Sequence, residues 1–179
     1  IKRTNKDFLQ DGNVIIWTTT PWTIPANKAL AYNKGIEYSL LEINLLENFK
    51  ENKIIVATNL IEKVLASCEI KEHKILKTFK GSEFKGTICS HPFLNMKFDY
   101  DIPMLEAGFV DLEQGTGIVH CAPSHGPDDF NLCLKNNIQS SYTVDNAGLY
   151  TKEIPYFNGT HIFKADSLVI EKLKEQNKL

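Results

Sequence analysis

Two clusters of chemically capable side chains stand out in this sequence. The first is the run TTTPWTIPAN at residues 18–27, where three threonine hydroxyls precede Trp22 and the amide of Asn27. Each hydroxyl can donate one hydrogen bond and accept others, and an amide group does both at once. Pro21 and Pro25 exclude a regular helix or a central strand, so this segment is expected to be an ordered loop. Such a loop suits the binding of a polar ligand, although a threonine-rich edge strand with core tryptophans explains the same residues.

The second cluster is GTGIVHCAPSHGPDDF at residues 115–130. The pattern predicts a strand up to Cys121, a turn, and a helix with Pro127 in its first position. The residue types permit a metal site, a purely structural helix start, or a pocket in which a carboxylate holds an ammonium group. Neither HExxH nor paired CxxC spacing is present, and Ser124 beside His125 does not form the GxSxG elbow of a serine hydrolase.

Strands dominate the elements that must position these side chains. Runs rich in β-branched or aromatic residues predict strands at residues 14–19, 38–45, 53–57, 74–79, 116–121 and 161–164. Helical spacing predicts helices at residues 59–67, 127–136 and 165–178. Thr58 or Asn59 is the expected cap of the first helix. We therefore expect one α+β, mainly β domain over residues 1–179, with a curved or closed β-barrel-like core and a few short peripheral helices.

The composition is that of an ordinary globular domain. The 179 residues are 42% hydrophobic, the net charge is −2, and Arg3 is the only arginine. A domain that grips duplex phosphates is usually clearly basic, whereas a single-stranded end needs only a few local contacts. No apolar run approaches the ~18 residues of a membrane-spanning helix. The four cysteines lack CxxC spacing, so reduced thiols in a cytoplasmic protein are expected. The chain begins at Ile1, from which we expect a segment of a longer protein.

Together the two motifs resemble the editing domain, connective peptide 1 (CP1), of the isoleucyl-tRNA synthetases, a class I family. The family pattern reads TTTPWT(L/I)PAN and later GTG, a hydrophobic residue and VHxAPxHGxDD. The HPF at residues 91–93 and the GTHIFKAD at residues 159–166 are also similar to that family. The valyl and leucyl enzymes carry an arginine and an acidic residue where this chain has Thr20 and Trp22. The isoleucyl type is therefore favoured, with an editing domain of the valyl or leucyl type as the alternative.

The resemblance implies hydrolysis of the ester in Val-tRNA(Ile), with Ile-tRNA(Ile) spared. A synthetic pocket for isoleucine cannot strongly exclude valine, because one methylene is worth only ~1–3 kcal/mol, a problem for which isoleucyl-tRNA synthetase is itself the standard example. By position in the motifs, Asp129 is expected to bind the substrate ammonium, and the helix start favours its ionised form. His120 is expected to shape the pocket that excludes isoleucine. No dedicated general base is expected, and His120 is the only nearby residue whose unperturbed pKa would suit one.

The remaining site residues are also implied by the resemblance. Thr20 joins His120 and Asp129 as an expected catalytic residue. Four positions are expected to surround the terminal adenosine, the ester and the hydrolytic water: Thr18, Thr19, Thr20 and Asn27. Trp22 and Thr23 match the wall near the amino-acid side chain, and Asp128 is the further expected substrate-binding residue.

The resemblance further implies that editing needs no metal, no cofactor and no covalent enzyme intermediate. ATP is used only by the synthetic domain, whose HIGH and KMSKS signatures do not occur in this sequence. The expected partners are the valine-bearing 3′-terminal adenosine of tRNA(Ile) and the remainder of a parent synthetase, with no membrane involved. We expect the isolated domain to be a monomer. A module that binds a tRNA end without hydrolysis and a metal-dependent hydrolase are the rival hypotheses.

Overall fold

The computed structural model describes residues 1–43 and 52–179. Its strands are β1 (Asn13–Val14), β2 (Ala29–Tyr32), β3 (Glu37–Ile43), β4 (Lys53–Ala57), β5 (His73–Lys80), β6 (Ile88–Ser90), β7 (Asp101–Glu106) and β8 (Ile118–Cys121). Its α-helices are α1 (Ile61–Ser67), α2 (Pro127–Lys135) and α3 (Ile162–Glu175). Short 3-10 helices lie at Asp7–Leu9, Pro21–Ala26, Thr58–Leu60, Gly81–Phe84 and Leu94–Met96.

The first sheet has the strand order β1-β4-β3-β5. β1 pairs in parallel with β4, while β3 runs antiparallel to both β4 and β5. Tyr38 of β3 therefore stands opposite Ala57 on one side and Phe79 on the other. β4 is buried at every residue except its first, which is the pattern of an interior strand with both faces covered.

The second sheet has the strand order β6-β7-β2-β8. β2 pairs in parallel with β7, with Leu30 opposite Met104. All four residues of β2 are buried, so the strand lacks the polar and apolar alternation that marks a strand in a sequence. β7 contains Pro103, which argues against a strand because proline cannot donate a ladder hydrogen bond. These two strands, together with the short β6, were missed for those reasons.

The chain divides into two compact units. Unit 1 comprises Ile1–Trp17, Leu30–Cys89 and Pro103–Val119. Unit 2 comprises Thr18–Ala29, Ser90–Ile102 and His120–Leu179. The first motif thus lies wholly in unit 2, whereas the GTG of the second motif lies in unit 1. The expectation of a single domain over residues 1–179 stays a prediction.

The core of unit 1 is organised around the buried Tyr38. Its hydroxyl donates a hydrogen bond to the carbonyl of Gly117 at 2.8 Å and accepts one from the amide of Asn33 at 3.1 Å. Gly117 has φ +77°, and a Cβ there would lie 2.4 Å from the Cβ of Ala57. Only glycine fits such a close approach at positive φ. The last glycine of GTG therefore has a packing role in unit 1.

The core of unit 2 is built on α3 and on the 3-10 helix Pro21–Ala26. One face of α3 is buried through Ala165, Val169 and Leu173, and the same apolar cluster contains Ile24 and Ala26. This cluster is completed by Phe93, Phe98, Ala122, Tyr150, Ile154 and Phe157. The burial of this helix face fixes the 3-10 helix that carries part of the first motif.

Helix predictions were largely confirmed, but one cap was wrong. α2 begins at Pro127 as predicted, with Gly126 as its N-cap residue. α1 is shorter than predicted because Thr58 and Asn59 form a 3-10 turn instead of capping it. The N-cap residue of α1 is Leu60, whose side chain makes no capping hydrogen bond.

Two strand predictions were wrong in ways that concern the motifs. The predicted strand at residues 14–19 ends at Val14, because the amide of Ala57 in β4 donates to the carbonyl of Thr116 at 2.8 Å and the Thr116 hydroxyl donates to the carbonyl of Ile15 at 2.7 Å. The predicted strand at residues 161–164 is the start of α3, and the Nδ1 of His161 caps it by accepting the amide of Phe163 at 3.2 Å. Tertiary packing of α3 overrides the β-like composition there.

The other predicted strands lie near their observed positions. Residues 53–57 match β4, residues 74–79 lie within β5, and β8 begins two residues after the predicted start at 116. β3 covers the predicted strand at 38–45 up to Ile43, and residues 44 and 45 lie outside the described residues.

The predicted α+β class with a few short helices is confirmed, but the barrel-like core is not. In the described residues the strands form two four-stranded sheets and no closed barrel. The first sheet stays open because the two-residue β1 and the exposed β5 are its end strands. All four cysteines are free thiols. None of the helices in residues 1–43 and 52–179 is long and apolar enough to cross a membrane.

Candidate functional site

The first motif forms a tight turn followed by the 3-10 helix Pro21–Ala26. Pro21 occupies the first helical position, where its missing N–H costs nothing. The amide of Thr23 donates to the carbonyl of Thr20 at 3.0 Å, and the amide of Asn27 donates to that of Ile24, also at 3.0 Å. The segment is neither an α-helix nor a central strand, as its prolines predicted, but it is a 3-10 helix and not the predicted loop.

The three consecutive threonines lie at the surface end of this segment. Thr19 and Thr20 are exposed and Thr18 is half-buried. The hydroxyls of Thr18 and Thr20 are 3.2 Å apart, within hydrogen-bonding distance. A pair of accessible, mutually bonded hydroxyls can both donate to and accept from an arriving polar group.

Trp22 is held through its backbone and its ring. Its amide donates to Oδ1 of Asp166 at 2.8 Å, and its carbonyl accepts the hydroxyl of Tyr150. The indole meets the imidazole of His125 edge-on, with ring centroids 4.8 Å apart. The Nε2 of His125 is in turn 2.8 Å from the hydroxyl of Thr143. The ring of Trp22 is thus fixed beside the turn of the second motif.

His120 joins the second motif to the first. The Thr23 hydroxyl donates its one hydrogen to the carbonyl of Thr20 at 2.9 Å, so its oxygen must accept from Nε2 of His120, 3.1 Å away. On this hydrogen-bond network the proton of the neutral imidazole is assigned to Nε2, and Nδ1 presents a lone pair. This Nδ1 is buried and has no hydrogen-bond partner in the described part of the chain.

The electrostatic surroundings keep His120 neutral. Burial lowers its pKa to about 4, and the neighbouring His125 adds to this effect. Burial also lowers the pKa of His125. A neutral His120 is an acceptor at Nδ1 over the whole physiological pH range.

Asn27 and His91 stabilise the far end of the first motif. Asn27 is only 4% exposed, and its Oδ1 has no hydrogen-bond partner among residues 1–43 and 52–179. Its carbonyl accepts the hydroxyl of Tyr100 at 3.0 Å. His91 donates from Nε2 to the carbonyl of Ile24 at 3.2 Å and accepts the amide of Phe93 at Nδ1, at 3.1 Å. Burial lowers the pKa of His91 to about 3.

Asp129 lies in the first turn of α2, half-buried. Its Oδ2 accepts the amide of Ala122 at 2.9 Å. Burial raises its pKa, the hydrogen bond from Ala122 opposes this effect, and the nearby Asp128 raises the pKa further. The helix start was expected to favour the ionised carboxylate, yet desolvation outweighs it. A cation that bound at Asp129 would offset this cost.

The remaining predicted residue, Asp128, and a surface cavity beside His125 both belong to the second motif and its helix. Asp128 is exposed on the first turn of α2. A cavity of about 570 Å³ is lined by residues 123–127 together with Phe130 and Asn131, so none of the predicted site residues lines it. In the part of the chain that the structure describes, no group of three or more His, Cys, Asp or Glu side chains is arranged to hold a metal ion.

Comparison with known proteins assigns a family to this geometry. The profile of the family described as "Leucyl-tRNA synthetase, editing domain" matches residues 13–176. The chain belongs to this editing-domain family. The expected resemblance to the editing domain of isoleucyl-tRNA synthetases is also confirmed, because the chain is 64% identical over 179 residues to an isoleucine-tRNA ligase of Pelagibacter ubique (strain HTCC1062). The match covers 100% of this chain and 20% of that relative, so the chain spans about a fifth of its length.

Solved structures of editing domains share the fold. The structure described as GlLeuRS-CP1 superposes with a TM-score of 0.69 at 18% identity, covering 93% of this chain and 82% of that one. The P. knowlesi cytosolic leucyl-tRNA synthetase editing domain gives a TM-score of 0.68 at 16% identity, covering 92% and 82%. At these identities the likeness concerns the fold alone.

Three residues that surround the editing-domain motifs were not predicted as parts of the site. Asp166, Tyr150 and His91 each bind the backbone of the first motif. The stretches HPF and GTHIFKAD, which contain His91 and Asp166, were noted for their similarity to the family without a role being given to them. Tyr150 follows a turn in the NAGLY stretch, and no local signal marks its hydroxyl as important.

Proposed function

We propose that this editing domain hydrolyses the ester that joins valine to the 3′ end of tRNA(Ile) and spares the isoleucyl ester. The observation that carries the proposal is the contact of Thr23 with His120, 3.1 Å apart, which joins the two family motifs in unit 2. Family membership and the isoleucine-tRNA ligase relative support the same reading. The exposed hydroxyls, the neutral imidazole and the half-buried carboxylate are groups suited to an aminoacyl ester.

Asp129 is the group proposed to bind the substrate's α-ammonium. One of its oxygens already accepts the amide of Ala122, which orients the carboxylate. An ionised carboxylate has about four lone-pair sites on its two oxygens, so most of them remain for the ammonium. Because burial penalises the unpaired charge, an ammonium partner gains from a strong charge-assisted bond.

Hydrolysis itself requires little more than a positioned water. The water oxygen attacks the ester carbonyl, the bond to the ribose oxygen breaks, and a proton passes to that oxygen to release valine and free tRNA. The buried acceptors Nδ1 of His120 and Oδ1 of Asn27 can each accept a hydrogen from a donor such as this water. The Thr18 and Thr20 hydroxyls can donate to the developing oxyanion. The proposal involves no metal and no cofactor.

We assign selection by the size of the acyl side chain to His120, Thr23 and Trp22. The Trp22 ring is fixed by His125, and Thr23 is fixed by His120. A packed wall of this kind rejects one extra methylene by steric overlap, since tightly packed groups cannot move without cost. The valyl side chain would enter and the isoleucyl side chain would be excluded.

The decisive experiment compares valine release from Val-tRNA(Ile) with isoleucine release from Ile-tRNA(Ile), using the full 179-residue chain. Asp129→Ala should lower kcat/KM for the valyl ester about 10- to 150-fold, the loss of one hydrogen-bonded charge. The exposed Asp99 provides a matched control, and Asp99→Ala should leave the rate unchanged. His120→Ala should open the pocket and allow attack on the isoleucyl ester.

Each arm has an outcome that would contradict the proposal. Equal wild-type rates on both esters would rule out size selection. A ligand that is bound but never cleaved would identify a binding module instead of a hydrolase. An unchanged rate for Asp129→Ala would remove this carboxylate from the site.

A further inference from the structure

The backbone of Trp22 is held by two side chains that are distant in sequence. Oδ1 of Asp166 accepts its amide at 2.8 Å, and the hydroxyl of Tyr150 donates to its carbonyl. These partners lie 144 and 128 positions away along the chain. Because the groups on both sides of the Trp22 Cα are bonded, the direction in which its ring leaves the backbone is constrained.

The elements that carry both side chains are themselves firmly packed in unit 2. Asp166 lies on α3 next to the buried Ala165. Ala165 belongs to the same apolar cluster as Ile24 of the 3-10 helix. Tyr150 is 1% exposed. Burial and the charge of Asp166 both raise the pKa of its phenol, so the hydroxyl keeps the proton that it donates. Both partners of Trp22 are therefore carried by residues packed in the core of unit 2.

A simple capping role does not account for the arrangement. The first N–H groups of a helix have no partner within it, and water or a neighbouring side chain would satisfy the Trp22 amide. Here the acceptor of the Trp22 amide is Asp166 of α3, and the hydroxyl of Tyr150 binds the Trp22 carbonyl as well. The ring that is fixed in this way ends against His125, beside Thr23, which contacts His120.

We infer that Asp166 and Tyr150 are positioning residues that set the Trp22 wall and so determine which acyl side chain the site accepts. This inference rests on the proposed function, since it concerns the size selection of the same site. It adds that selection depends on hydrogen bonds to the backbone of the wall, and not only on the side chains that line the pocket.

A fluorescence measurement tests the positioning directly, because the chain has only two tryptophans. Replacing the exposed Trp17 with Phe leaves Trp22 as the sole reporter. In that background, Asp166→Leu removes the acceptor at similar size and should shift the Trp22 emission to the red and increase its quenching by acrylamide. Asp166→Asn keeps an acceptor oxygen and should restore the original spectrum. Glu171→Gln, an exposed carboxylate change on α3, is the matched control.

The same variants are then assayed for ester hydrolysis. Asp166→Leu should lower the ratio of valyl to isoleucyl kcat/KM about tenfold, roughly the discrimination that one methylene allows. Asp166→Asn should retain the wild-type ratio. Tyr150→Phe removes only a hydroxyl and should shift both the spectrum and the ratio as Asp166→Leu does. If Asp166→Leu does not fold, the Tyr150→Phe variant alone tests the positioning of Trp22.

The outcomes separate this inference from the proposed function. A Trp22 spectrum and a discrimination ratio unchanged in Asp166→Leu and Tyr150→Phe would overturn the positioning role. A shifted spectrum with an unchanged ratio would overturn the link to size selection. A wild-type chain that cleaves neither ester would overturn the proposed function, and the spectra would still decide whether Asp166 positions Trp22.

Discussion

His91 should make the stability of this domain depend on pH through one buried imidazole. Burial lowers the pKa of His91 from 6.5 to about 3 in the folded chain. Its Nε2 donates to the carbonyl of Ile24 and its Nδ1 accepts the amide of Phe93. A proton added at Nδ1 would remove that acceptor. The folded state therefore resists protonation that the unfolded chain accepts readily.

The sign and size of the effect follow from linkage. The contribution of neutral His91 is fully present above pH 6.5 and is lost as the pH falls toward 3, because only the unfolded state takes up the proton in that window. Each pH unit within it costs about 1.36 kcal/mol. At pH 5 the loss is therefore about 2 kcal/mol of unfolding free energy, a sizeable share of the stability of a small domain.

Urea unfolding at several pH values between 4 and 7.5 measures this effect. His91→Phe should reduce the slope of unfolding free energy against pH near pH 5 by about one proton. The lost hydrogen bonds add a constant offset of about 1 kcal/mol each that does not change the slope. His73→Gln, a change at an exposed histidine of β5, is the control and should leave the slope as it is. Identical slopes for wild type and His91→Phe would refute the reasoning.

Three further predictions concern the backbone around the motifs and the chemistry. Gly126→Ala places a Cβ 3.2 Å from Oδ2 of Asp129 and should lower kcat/KM for the valyl ester by shifting this carboxylate, with a loss smaller than the roughly 10- to 150-fold of Asp129→Ala. Gly108→Ala has nothing within 4 Å of the new atom and should match wild type. Gly117→Ala combines positive φ with a Cβ 2.4 Å from that of Ala57, so thermal unfolding should report a loss of about 2–5 kcal/mol. Valine release should be unchanged by a chelator, and a loss restored by added metal would contradict the metal-free mechanism.

Local sequence signals identified the elements that depend on local interactions. α2 could be predicted because Gly126 and Pro127 mark its start, and β4 because its three central residues, Ile54, Ile55 and Val56, are β-branched. The wholly buried β2 lacks any alternation, so its position depends on its neighbours in the sheet. The start of α3 looked like a strand in composition. It is a helix because Ala165 and the residues that follow it on the same face are buried together.

The site was predictable in its residue types but not in its connections. The motifs identified Thr20, His120 and Asp129 as candidates, and their assignment as site residues stays a prediction. The raised pKa of Asp129 was not expected, because the helix terminus is a local feature whereas desolvation depends on the surrounding fold. The hydrogen bond from the Trp22 amide to Asp166 could not be predicted from the sequence. The only signal was the similarity of GTHIFKAD, the stretch that contains Asp166, to the editing-domain family.

The two motifs alone were enough to indicate the family and the groups available for chemistry, which are hydroxyls, an imidazole and carboxylates. The contact of the Thr23 hydroxyl with His120 could be seen only in the three-dimensional fold. It leaves the Nδ1 of the imidazole without a hydrogen-bond partner among residues 1–43 and 52–179. The physical reason is that proton positions, pKa shifts and wall positions are set by hydrogen bonds and burial. These interactions involve partners that are far apart along the chain.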